Sequence, residues 1–279
     1  MASAASPLST RQFPTSGFVK LDSSEKIEEE DPPLYTPEKY YPVSIGEVFS
    51  SRYQVVSKLG YGTSSTVWLC RDLRDHRFYT LKVCVKGQRP SHEITISEHL
   101  KNSNEHVGKK FIRLVLDSFE IQGPNGQHTC LIYQPLGMSY SEFQDLLPDI
   151  SSNNILQGIE DSSILSQIEE DEIKKPIARK VLSDRNIYYS RQMPVCTGLP
   201  VLSDLGEAII RKENNKGDIM PGIYRTPEVI LDMDWDHKVD IWSIGCMVWD
   251  MVEGGHLFFA KKNGALNDEQ HLAEMVSLM

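Results

Sequence analysis

From Arg52 onward the side chains alternate in character: Tyr53, Val55 and Ser57 alternate with polar positions, and so do Val67 and Leu69, then Tyr79, Leu81 and Val83. Period-two runs split by short polar turns, here Gly60 to Ser64 and Arg71 to His76, predict an antiparallel meander. Ser91 to Leu100 follows as a short helix, with Ile94, Ile96 and Leu100 as its apolar positions. Arg113 to Ile121 and His128 to Tyr133 flank Gly123-Pro124-Asn125-Gly126, a hairpin signal. After Pro135 the pattern turns helical. Ser139 to Leu147 is a short amphipathic helix, and Val201-Leu202 a short apolar strand. Val239 to Val252 is apolar on nearly every side, which predicts a helix buried all round.

Two stretches carry too little apolar surface to predict a core. Residues 1–50, with Glu28-Glu29-Glu30-Asp31-Pro32-Pro33 in their middle, read as a flexible extension, of which Tyr40 to Val48 packs on the domain that follows. Residues 158–198, with acids clustered at Glu169, Glu170, Asp171 and Glu172, read as a polar surface excursion or a plain disordered loop. The domain expectation is therefore an extension over 1–50, a β-rich unit over 51–135, and a mainly helical unit over 136–279 with an insert at 158–198.

Composition adds limits. Apolar residues form 40% and charged residues 24% of the 279 positions, an ordinary globular balance. The longest apolar run, Ile241 to Val252, is too short for the ~20 residues that span a bilayer, and no apolar signal-peptide core opens the chain. The five cysteines lie far apart with no CxxC pair, so a zinc site is not expected, and they read as reduced thiols of a cytoplasmic and nuclear protein. A net charge of −10 argues against a basic nucleic-acid surface and suits either a basic peptide partner or simple solubility.

The candidate chemistry begins at Leu59-Gly60-Tyr61-Gly62-Thr63-Ser64-Ser65-Thr66-Val67, between two predicted strands. Two glycines there make either an ordinary hairpin or a turn whose backbone N–H groups approach phosphate oxygens, with Val67 over an adenine ring. The strand-turn-strand setting excludes a dinucleotide fold, which needs a helix after the turn. Fifteen positions beyond Val67, Lys82 falls inside the apolar run Tyr79-Thr80-Leu81-Lys82-Val83. A buried Lys needs a partner, and Glu93 on the following helix is the natural one; otherwise Lys82 lies at an edge with its charge in water.

In order and spacing, the glycine turn, Lys82 and Glu93 resemble the eukaryotic protein kinases. The wording around Arg52-Tyr53-Gln54-Val55-Val56 and Ser65-Thr66-Val67-Trp68-Leu69, preceded by Tyr41-Pro42-Val43-Ser44-Ile45-Gly46, is similar to the SR-protein-kinase branch in a short, fungal-type form. That resemblance implies an α+β, two-lobed fold with an antiparallel small lobe and a mainly helical large lobe, incomplete here. It implies that Lys82 holds ATP phosphates while Glu93 orients it. Gln134 to Leu136 become the hinge that bonds adenine through its backbone, and Tyr133 the gatekeeper beside it. Asp204-Leu205-Gly206 resembles the DFG motif, with Asp204 on Mg²⁺. Pro221-Gly222-Ile223-Tyr224-Arg225-Thr226-Pro227-Glu228 is similar to the APE segment, and Asp240-Ile241-Trp242-Ser243-Ile244-Gly245 to the family's helix-F signature.

The catalytic loop departs from the pattern. Its counterpart is Leu147-Pro148-Asp149-Ile150-Ser151-Ser152-Asn153-Asn154, with the five-residue step from Asp149 to Asn154 intact and the His-Arg pair gone. Asp149 either accepts the substrate hydroxyl's proton, with Asn154 on a second Mg²⁺, or only ends the helix before it. About a dozen residues separate Leu136 from Asp149, where the family has a long helix, and the chain reaches Met279 before the family's last helices. Asp204 follows Asn154 by fifty positions, and SR-protein kinases carry an insert there. The expected activity is Ser/Thr phosphorylation of Arg/Ser-rich splicing-factor-type proteins by a monomer, with ATP and Mg²⁺. The alternatives are a nucleotide-binding pseudokinase or a truncated, inactive product.

Overall fold

The computed structural model describes residues 9–88, 90–139, 154–210, 215–220 and 222–278. They fall into two compact units. One comprises Met1–Met138 with Ile155–Ala208, the other Ser139–Asn154 with Ile209–Met279.

The first unit is built on a six-stranded antiparallel sheet of β1 (Val48–Phe49), β2 (Tyr53–Gly62), β3 (Ser65–Asp72), β4 (Phe78–Cys84), β5 (Asp117–Gly123) and β6 (Gly126–Tyr133). Their order is β1-β2-β3-β4-β6-β5, so the meander read from the sequence stands and the β5–β6 hairpin adds its second strand to β4. Cross-strand pairs Val55↔Cys70 and Trp68↔Leu81 point into the core, so in β3 the core-facing residues are Trp68 and Cys70, while Val67, opposite Lys82, and Leu69, the pair read from sequence, lie on the other face. In the core Val55, Cys70, Leu81, Val83, Cys130 and Ile132 meet Tyr53, Trp68 and Phe49. Burying each aliphatic side chain contributes roughly 1.5–3 kcal/mol. Helix α1 (Ser91–Asn102) follows β4, buries Glu93 and Ile96, and turns Ile94 toward Val115, Leu131 and Tyr133.

The polar insert does not form a loose excursion, and it belongs to this sheet unit rather than to the helical one. It folds into α2 (Ser163–Lys174), which lies against β2, and a hairpin of β8 (Arg179–Val181) and β9 (Asn186–Tyr188). What holds it is charge. Glu172 is fully buried and accepts from Arg191 Nη2 at 2.6 Å and Arg179 Nη2 at 3.3 Å. Glu169 lies beside Arg71 at 3.3 Å. A buried carboxylate survives only when cations and donors surround it, and the insert brings its own arginines.

Residues 9–50 likewise pack on this unit, against the expectation of a flexible extension. The Gln54 amide exchanges two hydrogen bonds of 2.8 Å with the Arg11 backbone. Lys20 bridges to Arg179 in parallel. The acids that argued for disorder are spent on buried cations. Lys58 Nζ donates to Glu29 and lies 3.3 Å from Glu28, while Lys180 Nζ donates to Glu30 at 2.6 Å. Tyr40 is buried, as expected of a packed Tyr40–Val48 stretch.

The second unit contains a short helix α3 (Pro227–Ile230), α4 (Lys238–Glu253), a small β11–β12 hairpin (Lys261–Lys262 with Ala265–Leu266) and α5 (Asp268–Leu278). Thr226 caps α3, and Gly254, at φ +69°, ends α4 in the left-handed conformation that glycine tolerates. One side of α4 packs well: Cys246 joins Tyr224, Phe258 and Met275, and Val239 joins Val229 and Trp235. The expectation of burial all round is not met. Ile241, Ile244, Val248, Trp249 and Val252 are exposed, because no described element covers that side. Of the helix expected over Ser139 to Leu147, all positions after Ser139 lie outside the described residues.

Candidate active site

The glycine turn joins β2 to β3. Gly62 pairs with Ser65, leaving Thr63 and Ser64 as a two-residue connection. Register shifts between Val55 and Ser57 and between Lys58 and Gly60 mark bulges on the approach, which twist the strand into the turn. A Cβ added at Gly60 or Gly62 would meet nothing within 4 Å. The glycines are thus not demanded by internal packing, and their backbone faces open space. Tyr40 steadies the turn from outside, its hydroxyl donating to the Gly62 and Thr63 carbonyls at 3.1 and 3.0 Å. Leu59 and Val67 are half-buried, Tyr61 and Thr63 exposed. The side chains of Ser65 and Thr66 are buried, and the Thr66 hydroxyl accepts the Trp68 indole N–H at 2.9 Å, so the Thr66 side chain is engaged inward.

Lys82 sits in mid-β4, opposite Val67 on one side and Leu131 on the other. Its Nζ lies 3.1 Å from Glu93 Oε2, the pair expected from sequence. An ammonium group has three donors; Glu93 takes one, and the Lys82 side chain keeps 23% of its exposure. Glu93 is almost wholly buried, and its other oxygen, Oε1, accepts the Tyr133 hydroxyl at 2.6 Å. Burial, and next the negative charge of Glu93, push the Tyr133 phenol far above its ordinary range, so it remains a donor at every working pH.

Beyond Tyr133 the chain leaves the sheet. Gln134 is exposed and Leu136 buried. Among the described residues no backbone carbonyl accepts the Leu136 N–H, whereas Gly137 N–H is taken by Gln157 O at 2.8 Å. Arg113 stacks its guanidinium on the Tyr133 ring, 4.8 Å from the centroid, and donates from Nε and Nη2 to Gln134 O at 3.3 and 3.2 Å. Burial brings its guanidinium down to about 10. The Arg113 N–H donates to Leu202 O at 2.8 Å. Leu202 ends β10 (Pro200–Leu202), which pairs with β7 (Ile155–Gln157). Two residues later comes Asp204, exposed and at φ +62°, its carboxylate accepting from Gly206 N at 3.4 Å.

The first unit thus carries the glycine turn, Lys82, Glu93, Gln134, Leu136 and Asp204. Asn154 is exposed and belongs to the second unit, and Asp149 lies outside the described residues.

A family model described as "Protein kinase domain" matches residues 182–279. A serine/threonine protein kinase of Aspergillus fumigatus is 40% identical over 292 aligned residues, which cover 95% of this chain and 74% of that protein. The chain belongs to the eukaryotic protein kinases. A serine/threonine-protein kinase SRPK of Physarum polycephalum is 29% identical to this kinase over 323 residues, covering 92% of it and 74% of the relative. SRSF protein kinase 3 of Mus musculus is 40% identical over 122 residues, 42% of this kinase and 22% of the mouse protein. These relatives place it on the SR-protein-kinase-like side of the family, among serine/threonine kinases. A crystal structure of a kinase domain superposes with a TM-score of 0.54 at 22% identity, over 84% of this kinase and 72% of that chain, a likeness of fold.

The sequence named Tyr133 only as the gatekeeper, not its contact with Glu93, and it gave Arg113 no role at the site. The contact of the Tyr133 hydroxyl with Glu93 spans forty positions and leaves no local trace. Arg113 left one: a lone charge within Phe111-Ile112-Arg113-Leu114-Val115-Leu116 signals a partner. Its partners turn out to be a ring face and a carbonyl.

Proposed function

We propose that this kinase binds Mg-ATP through the Gly60–Gly62 turn, the Lys82–Glu93 pair and the Gln134–Leu136 backbone, and passes the γ-phosphoryl group to serines of Arg/Ser-rich proteins. The observation that carries the reading is the Lys82–Glu93 pair at 3.1 Å. It fixes an ammonium group with donors to spare in the same unit as a backbone turn whose glycines face open space. Backbone N–H groups and a fixed cation are what a polyphosphate requires. Mg²⁺ would neutralise phosphate charge, and the residues expected to bind it are Asp204 and Asn154, hard oxygen donors of the right kind. The exposed Asp204 carboxylate, with one backbone N–H already on it, is free to accept a cation.

In the transfer a serine Oγ forms its bond to the γ-phosphorus while the bridging bond to the β-phosphate breaks and ADP leaves. The serine proton goes to the residue expected to accept it, Asp149. Arg/Ser-rich substrates are favoured by two facts. The net charge of −10 suits a basic partner, and the relatives include proteins named SRPK and SRSF protein kinase 3.

The test is transfer of label from [γ-³²P]ATP to an Arg/Ser repeat peptide, against a Gly/Ser peptide of equal serine content. Label is expected on the Arg/Ser peptide. Asp149→Asn is expected to lower the rate about 10²–10⁴-fold while ATP affinity holds. Equal labelling of both peptides overturns the substrate class, and an unimpaired Asp149→Asn overturns the proton acceptor.

A further inference from the structure

The structure assigns Tyr133 as a positioning residue for the Lys82–Glu93 pair: its hydroxyl fixes one carboxylate oxygen so that the other is presented to Lys82. This rests on the reading that Lys82 holds ATP phosphates. Glu93 divides its two oxygens cleanly, Oε1 to Tyr133 at 2.6 Å and Oε2 to Lys82 at 3.1 Å. A carboxylate on a helix can rotate about its terminal torsion, which is broad and two-fold. A short, charge-assisted bond to one oxygen stops that rotation.

The tyrosine is itself immobilised. Its side chain is buried in a cluster with Val115 and Leu131, Ile94 packs against that cluster, and the Arg113 guanidinium lies on the ring at 4.8 Å. Arg113 in turn is pinned by its own backbone bond to Leu202 and its side-chain bonds to Gln134 O. A run of contacts thus leads from the strand before Asp204, through Arg113 and the Tyr133 ring, to the carboxylate that aims Lys82. Tyr133 bonds Glu93 and not Lys82, so the role assigned to it runs through Glu93. The relation is not a packing one alone, because phenylalanine fills the same volume without the donor.

The experiment is a double-mutant cycle on ATP affinity with the full chain: wild type, Tyr133→Phe, Lys82→Ala and the pair together. Calorimetry is used for the tighter binders and competition against a fluorescent ATP analogue for the weaker. Loss of one hydrogen bond to a charged group is expected to weaken ATP binding about tenfold in Tyr133→Phe. In the Lys82→Ala background the same substitution is expected to change affinity less than twofold, since there is no longer an ammonium group to aim. A tenfold loss in both backgrounds overturns the assignment in favour of a purely structural tyrosine. So does wild-type affinity in Tyr133→Phe. If Tyr133→Phe gives no cooperative melt, Tyr133→Met, an adaptable apolar side chain without a donor, carries the same comparison. If the wild type takes up no ATP, the nucleotide reading itself fails. If the wild type binds and only the cycle shows no coupling, the positioning role alone fails.

Discussion

Buried single groups carry much of the chemistry of this chain, and the five thiols among them set an alkaline limit on its stability. All five cysteines are buried and unpaired. Burial raises each thiol: Cys84 and Cys246 go to about 11, and Cys70 goes well above the ordinary 9.0. A thiol raised in the folded state stays protonated where the unfolded chain ionises. Its contribution is therefore whole below about pH 9 and is lost as pH climbs toward 11. The melting temperature is expected to be level from pH 7 to 8.5 and to fall from pH 9 upward, with a shallower fall in Cys84→Ala. A flat profile to pH 11 would contradict this. Residue by residue, the sequence showed the types well and the partners poorly. Lys82 and Glu93 are eleven positions apart on consecutive elements, and their pairing was legible. Lys58 looked like any strand lysine, and its partner Glu29, across twenty-nine positions, was not.

Elements were legible wherever apolar residues mark the inner face. The meander, the Pro124-Asn125 hairpin turn and α1 follow from alternation and spacing alone. Helix α2 shows where that reading stops. Its buried positions Leu165, Ile168, Glu169 and Glu172 have helical spacing, but half are acids, so a hydrophobic pattern sees a polar stretch. The arginines opposite, Arg11, Arg71, Arg179 and Arg191, make those acids interior. Helix α4 fails in the opposite sense, since a pattern that is apolar all round says nothing about whether partners exist. Its two sides are expected to respond differently. Ile244→Lys, on the exposed side, is expected to change stability by no more than about 0.5 kcal/mol and to reduce binding of a hydrophobic dye. Asp250→Ala, which removes the acceptor of Tyr224 Oη at 2.7 Å, Leu257 N at 3.1 Å and the His256 ring at 2.9 Å, is expected to cost several times more. Urea denaturation of the two variants checks both. A large loss in Ile244→Lys would mean that side is covered in solution.

At the scale of the whole chain, the composition of residues 9–50 pointed to disorder because it lists acids without their partners. In the fold those acids meet Lys58 and Lys180, and Tyr40 holds the glycine turn. Removing one side of a buried ion pair costs about 3–5 kcal/mol, a large share of a domain's ~5–15 kcal/mol. Deleting residues 1–31 is therefore expected to lower the melting temperature by at least ten degrees, and an unchanged melt would contradict the packed role given to Glu28–Glu30. Family membership rests on the relatives and on the order of the motifs. The central claim, that this kinase clamps a nucleoside triphosphate with Lys82 under the glycine turn, is tested most directly by the thermal unfolding of wild type and Lys82→Ala with and without Mg-ATP. Nucleotide at a hundredfold its dissociation constant is expected to stabilise the wild type by about 2.7 kcal/mol and to leave Lys82→Ala nearly unmoved at the same concentration. Equal stabilisation of the two proteins, or none in either, would contradict it.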